Sequence, residues 1–114
     1  MKNLNKEKGK NGEKIAEKYL KIQKFTIIST NFSNFIGEID IIAKEKDVYV
    51  FVEVKSREDV LFGRPCEAVD KRKQEKIRKV ASVYLMENNL FDVDVRFDVI
   101  EVLGNEINHI KDAF

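Results

Sequence analysis

Apolar residues at Ile15, Ala16, Tyr19 and Leu20 recur at helical spacing and predict an amphipathic helix from about Gly12 to Ile22. The polar, lysine-rich stretch before it, residues 1–11, reads as an irregular, flexible lead-in. Phe25 to Thr30 is rich in β-branched residues and predicts a strand, and Asn31 to Phe35 reads as a turn. Two further strands follow, GEIDIIAK over Gly37–Lys44 and VYVFVEVKS over Val48–Ser56. The polar tetrad Lys44–Asp47 between them predicts an antiparallel hairpin. Ile77, Val80, Ala81, Tyr84 and Leu85 place a long helix at about Glu67–Asn88, stopped by Asn88-Asn89. Val93–Val102 is another strand, turned at Gly104-Asn105, and Ile107–Ile110 adds a short last one. This order predicts one domain spanning 1–114, an α/β (α+β) fold in which helices flank a mixed sheet.

Alternation along the hairpin gives the first hint of chemistry. Val48, Val50, Val52 and Val54 share one face of their strand, and Tyr49, Phe51, Glu53 and Lys55 share the other. Both faces begin apolar, as in a central strand covered on both sides. Glu53 thus follows aromatic residues onto a face that ought to be buried, where a carboxylate needs a partner or a metal. Lys55 lies two residues along the strand, roughly 6.6 Å away, which is long for a close pair. On the other arm Glu38, Asp40 and Ile42 share a face. If Glu45 pairs with Val48, Asp40 falls opposite Glu53; a slip by one residue would separate them. Facing carboxylates repel, and oxygen ligands of this kind suit Mg²⁺ or Mn²⁺. The same spacing also fits a solvated strand end where Lys55 neutralises Asp40 and Glu53.

Composition narrows the classes without deciding between these readings. Of the 114 residues, 43% are apolar and 36% charged, an ordinary globular balance. No apolar run approaches the length of a membrane span, and the N-terminus lacks the apolar stretch of a secretory signal. With a single cysteine, Cys66, no internal disulfide can form, and a reducing, cytoplasmic setting is expected. The net charge of +1 does not by itself predict nucleic-acid binding, but residues 1–24 hold eight lysines against three glutamates. Lys71–Lys79 likewise hold six basic residues against one glutamate. Either cluster is equally readable as a solvated helix face.

The pattern Gly37-Glu38-Ile39-Asp40-Ile41-Ile42, a turn, then Val50-Phe51-Val52-Glu53-Val54-Lys55-Ser56-Arg57 resembles the PD-(D/E)XK nuclease superfamily. More narrowly it is similar to the YraN-like family (UPF0102), which is akin to archaeal Holliday-junction resolvases. Gly12-Glu13 with Ala16 and Leu20, Ala68-Val69, Lys73 and Phe97-Asp98-Val99 extend the match from about Gly12 to Val102. The resemblance implies a restriction-endonuclease-like core with Asp40 and Glu53 binding the metal and the Val54 carbonyl completing its coordination. It implies that Lys55 orients the attacking water and contacts the phosphate. Glu13 of the first helix would support the site, with Glu17 as the alternative. Ile39 stands where the superfamily's name has a proline, and Ser33 where the family is often basic.

The expected function is therefore a metal-dependent endonuclease hydrolysing DNA phosphodiester bonds, on branched or damaged DNA. Arg57, Lys73 and, less directly, Arg64 are candidates for DNA phosphate contacts. The alternative is a non-catalytic nucleic-acid-binding or adaptor protein that keeps the fold. A third reading is a structural homodimer in which the acidic pair is only a charge cluster. Cys66 reads as a small semi-buried residue and His109 is given no role. Phe32, Phe35 and Phe62 read as core or loop anchors, with base stacking or an interface as the other options.

Overall fold

The computed structural model describes residues 4–56 and 69–114, with side chains described from residue 11 onward. The elements run α1 (Leu4–Ile22), β1 (Thr26–Ser33), β2 (Glu38–Glu45), β3 (Val48–Ser56), α2 (Lys71–Glu87), β4 (Asp94–Leu103) and β5 (Glu106–Ile110). The strands form one sheet in the order β1-β2-β3-β4-β5. β3 and β4 pair in parallel across the α2 connection; the other neighbours are antiparallel. The expected mixed sheet with helices packed on it is what is found, an α+β fold.

The two faces of the sheet carry separate cores. Val50, Val52, Ile100 and Val102 pack with Ala16 and Leu20 of α1. Phe51, Phe97 and Val99 pack with Ile77, Val80, Ala81 and Tyr84 of α2. β3 contributes to both, as its two apolar faces predicted.

Helix ends explain several boundaries. α1 begins at Leu4, well before Gly12, so the segment expected to be an irregular lead-in is helical from there on. At its other end Lys24 is left-handed (φ 71°), and the Phe25 amide reaches back to the Leu20 carbonyl at 2.9 Å. This six-to-one bond seats Phe25 in the core as part of the cap rather than as the first strand residue. α2 begins at Lys71, not at Glu67, because the Asp70 side chain accepts from the Lys73 amide (2.9 Å) and caps the first turn. It ends in the same motif as α1, with left-handed Asn89 (φ 56°) and the Leu90 amide on the Leu85 carbonyl (2.8 Å).

The β2–β3 hairpin takes the even register: Glu45 pairs with Val48, Ile42 with Phe51 and Ile41 with Val52. Strict alternation ends there. Ile39 is buried beside Ile42 on the α2 side, although the two are three positions apart, an odd step that alternation would put on opposite faces. The break falls at Asp40, and on the facing strand Asn31 is left-handed (φ 53°).

A second polar centre lies on the α1 side of β4. Asp98, fully buried, is held by Arg96 through Nε (2.8 Å) and Nη2 (3.0 Å), by His109 Nε2 (2.7 Å), and by the Asp112 amide (3.1 Å). His109 Nδ1 meets the Tyr19 hydroxyl at 3.0 Å, and Arg96 continues to Glu45 at 2.8 Å. This knot ties β5 and the residues after it to the body of the sheet. The role His109 lacked in the sequence reading is therefore structural. None of the described helices is long and apolar enough to cross a membrane.

Candidate functional site

A cleft of about 490 Å³ opens where the sheet's alternation breaks, lined by Asp40, Glu53, Glu38 and Ser33 from the strands, by Asn34 and Gly37 from the β1–β2 turn and by Lys73, Lys76 and Ile77 from α2. Asp40 and Glu53 reach it from neighbouring strands because the register is even, as the hairpin reading required. Glu38 lines it too but is exposed.

Asp40 Oδ2 accepts a 2.8 Å hydrogen bond from the Val54 amide. The side chain thus takes a backbone donor at the point where the β2–β3 pairing gives out. A strand residue aims its N–H and C=O at the same neighbour, so the Val54 carbonyl is also directed to the Asp40 side. Glu13 of α1 stands against the Asp40 carboxylate. Burial pushes the Asp40 carboxyl up to about 6; the Val54 amide works against this, and the charge and hydrogen bond of Glu13 add to it. Between the two candidate helix carboxylates the structure selects by position: Glu17 pairs with Lys21 at 3.5 Å instead.

Gly12 makes this approach feasible. A Cβ there would run into the Ser56 side chain at the end of β3. Gly in a helix costs about 1 kcal/mol relative to Ala, and here it lets the first helix press on the sheet one residue before Glu13.

Glu53 is buried at 7% exposure. Its Oε1 lies 2.7 Å from Lys73 Nζ and 3.8 Å from Lys55 Nζ. Burial raises its pKa, the Asp40 charge raises it further, and Lys73 pulls it back. The Lys55 ammonium is depressed, first by burial and then by the adjacent Lys73. For Lys73 burial acts in the same sense, but its hydrogen bond to Glu53 and the nearby carboxylate charges outweigh it and hold the ammonium above its ordinary value. The close partner of Glu53 is therefore Lys73. Sequence spacing offered only Lys55, since nothing local shows that the first turn of α2 returns over β3.

Among the described residues no three His, Cys, Asp or Glu side chains converge as a ready cation cage. The donor set nonetheless suits Mg²⁺ or Mn²⁺: one buried and one half-buried carboxylate, both with raised pKa, and a carbonyl on the same side, the rest of the shell being water. Mg²⁺ usually keeps several waters and takes only one or two carboxylates. Lys73 would have to leave Glu53 for such an ion to enter.

The remaining sequence candidates divide cleanly. Phe32 is a core anchor, edge-on to Tyr84 at 5.2 Å between ring centroids, as expected. Phe35 is no anchor: it is 88% exposed. Arg57, Phe62, Arg64, Cys66 and Ala68 lie outside the described residues. The Asp98 knot went unseen in the sequence, although Arg96 and Asp98, two apart on one strand face, were its available signal.

Known proteins agree with the extent of the match. Residues 12–102 match the uncharacterised protein family UPF0102. A UPF0102 protein of Clostridioides difficile (strain 630) is 54% identical over 112 residues, covering 96% of this chain and 98% of that protein. One from Clostridium acetobutylicum is 50% identical over 114 residues, covering all of this chain and 91% of the relative. A third, from Caldanaerobacter subterraneus subsp. tengcongensis, is 48% identical over 122 residues with both chains fully covered. Gly12, Asp40, Glu53, Lys55 and Lys73 all fall inside the matched span, and the chain belongs to the uncharacterised protein family UPF0102.

Proposed function

We propose that this chain is a Mg²⁺- or Mn²⁺-dependent endonuclease that hydrolyses DNA phosphodiester bonds, in the manner of the PD-(D/E)XK nucleases its sequence resembles. The observation that carries the reading is the pair of carboxylates, Glu53 buried and Asp40 half-buried, delivered by adjacent strands into one cleft with Lys55 beside Glu53. A fold spends free energy to bury two like charges, and a cation offsets that cost. Asp40, Glu53 and the Val54 carbonyl would hold the ion. It would supply a water of lowered pKa and polarise a phosphate oxygen.

The chain's own groups do the rest. Lys55, half-buried, presents a fixed positive charge to the phosphate oxygens as negative charge develops. Glu13 orients Asp40 from the helix side. Lys73 neutralises Glu53; with an ion held there instead, its ammonium would be available to the DNA backbone. Arg57 belongs to the proposed phosphate contacts on sequence grounds.

The test is cleavage of linear, flapped and four-way DNA with Mn²⁺, alongside Lys55→Ala. Cutting that falls on the order of 10²-fold or more in the variant, with an unchanged melting temperature, supports the assignment. Undiminished cutting by Lys55→Ala refutes it. One observation favours the second reading, a non-catalytic nucleic-acid-binding protein: Glu53 is already matched by two ammonium groups. That reading predicts salt-sensitive DNA binding indifferent to Asp40→Asn and Glu53→Gln, and no heat on titrating Mn²⁺.

A further inference from the structure

The turn between β1 and β2 forms the lip of the cleft and is unusually well tied down. The Asn34 side chain accepts from the Ile36 amide (2.9 Å) and the Gly37 amide (3.3 Å) and donates to the Val80 carbonyl of α2 (3.4 Å). The Asn34 amide closes the turn on the Gly37 carbonyl at 2.9 Å. Gly37 packs so closely on Lys76 and Val80 that a side chain there would press on both. On this braced turn Phe35 stands 88% exposed, between two residues that line the cleft. Its neighbours along the lip, Ser33, Asn34 and Glu38, are polar. Ile36 beside it instead packs against the α2-side core, so of this turn's apolar side chains Phe35 is the one turned out to water.

A phenyl held out in water by a rigid turn, beside a lysine-bearing groove, has the makings of a stacking platform for nucleic-acid bases. We propose that Phe35 stacks on an unpaired base next to the phosphate entering the cleft, so that the preferred DNA has an extruded or single-stranded nucleotide at that point. Lys76, exposed and lining the same cleft, meets the backbone of that nucleotide. In an intact duplex every base face is already covered by its neighbours, and Phe35 gains nothing from it. The inference rests on the DNA part of the function proposed above and not on turnover.

Binding in EDTA separates the two, since no cutting is then required. The probes are a perfect duplex and the same duplex carrying a two-nucleotide bulge that contains 2-aminopurine. The chain has no tryptophan, so Phe35→Trp introduces a single reporter at the turn. The expected result is tighter binding of the bulged DNA and a loss of roughly 5- to 150-fold for it in Phe35→Ala, with little change for the duplex. In Phe35→Trp the affinity is kept and the indole emission is quenched by the bulge alone. Equal losses on both DNAs overturn the inference, as does unquenched emission or absence of binding to either. Conversion of a dimer to monomer by Phe35→Ala also overturns it, in favour of a contact between copies. Stacking with no Mn²⁺-dependent cutting of any DNA would leave this inference standing while the nuclease reading fell.

Discussion

At the scale of single residues the site is a contest between burial and charge, and Asp40 shows which way it runs. Its folded pKa is raised, to about 6, above an ordinary value of 3.8. A raised pKa means the native state holds the proton more tightly than the unfolded chain. The associated stability is fully present below about pH 3.8 and is lost as pH rises through about 6. Asp40→Asn removes the ionisation and keeps an oxygen to accept from Val54. In EDTA the variant should therefore melt higher than wild type at pH 8, with the gap closing toward pH 4. Thermal unfolding across that range checks it; a gap independent of pH would mean that Asp40 carries no such burden. Alternation narrowed the choice to Glu38 and Asp40, which share the face of Glu53 in any even register, and only the family resemblance preferred Asp40. Lys73 was not legible as the partner: its 2.7 Å bond to Glu53 depends on how α2 crosses the sheet, and one sequence contains no trace of that crossing.

At the scale of elements, two helices approach one strand end from opposite faces. α1 comes close only because Gly12 has no side chain to meet Ser56. Gly12→Ala gains helix propensity of about 1 kcal/mol but collides with Ser56, and overpacking of this kind costs typically about 1–3 kcal/mol. The single variant should be neutral to destabilised, and in a Ser56→Gly background the same change should become stabilising. Denaturant unfolding of the four proteins measures the coupling; additive effects would show that the contact is not what holds Gly12 in place. Most elements were legible in the sequence because their apolar period is clean, as in Val48–Val54 and Ile77–Leu85. Their ends were not. Asp70 sets the start of α2 by capping its first turn, and Lys24 adopts a left-handed conformation that glycine or asparagine more commonly fills.

At the scale of the whole molecule, the cleft and the Asp98 knot lie on opposite faces of one sheet, the first on the α2 side and the second on the α1 side. Burial alone would raise the Asp98 pKa, but His109, Arg96 and the Asp112 amide together hold it below its ordinary value. The sign is therefore opposite to that of Asp40: its contribution is present above about pH 3.8 and is lost as pH falls through the lower folded value. Asp98→Ala takes a shared partner from the partly buried Arg96 guanidinium and from His109, leaves Arg96 to Glu45, and should cost about 1.5–3 kcal/mol. In hydrogen exchange the amides of β5 should lose protection before those of β3. Uniform loss across the sheet would show that the knot does not hold β5 separately.

The irregularities of β1 also bear on how copies of this protein behave toward one another. Among the described residues β1 is an edge strand whose outer rim of backbone donors and acceptors meets no further strand, and Ile28 on it is 41% exposed. Such rims recruit further strands and seed aggregation. The register shift between Ile27 and Ser29 and the left-handed Asn31 interrupt that rim twice within eight residues. An incoming strand would find no straight run long enough to zip against. The same kink that breaks alternation beside the cleft thus keeps the sheet from growing, so smoothing it would trade solubility for regularity.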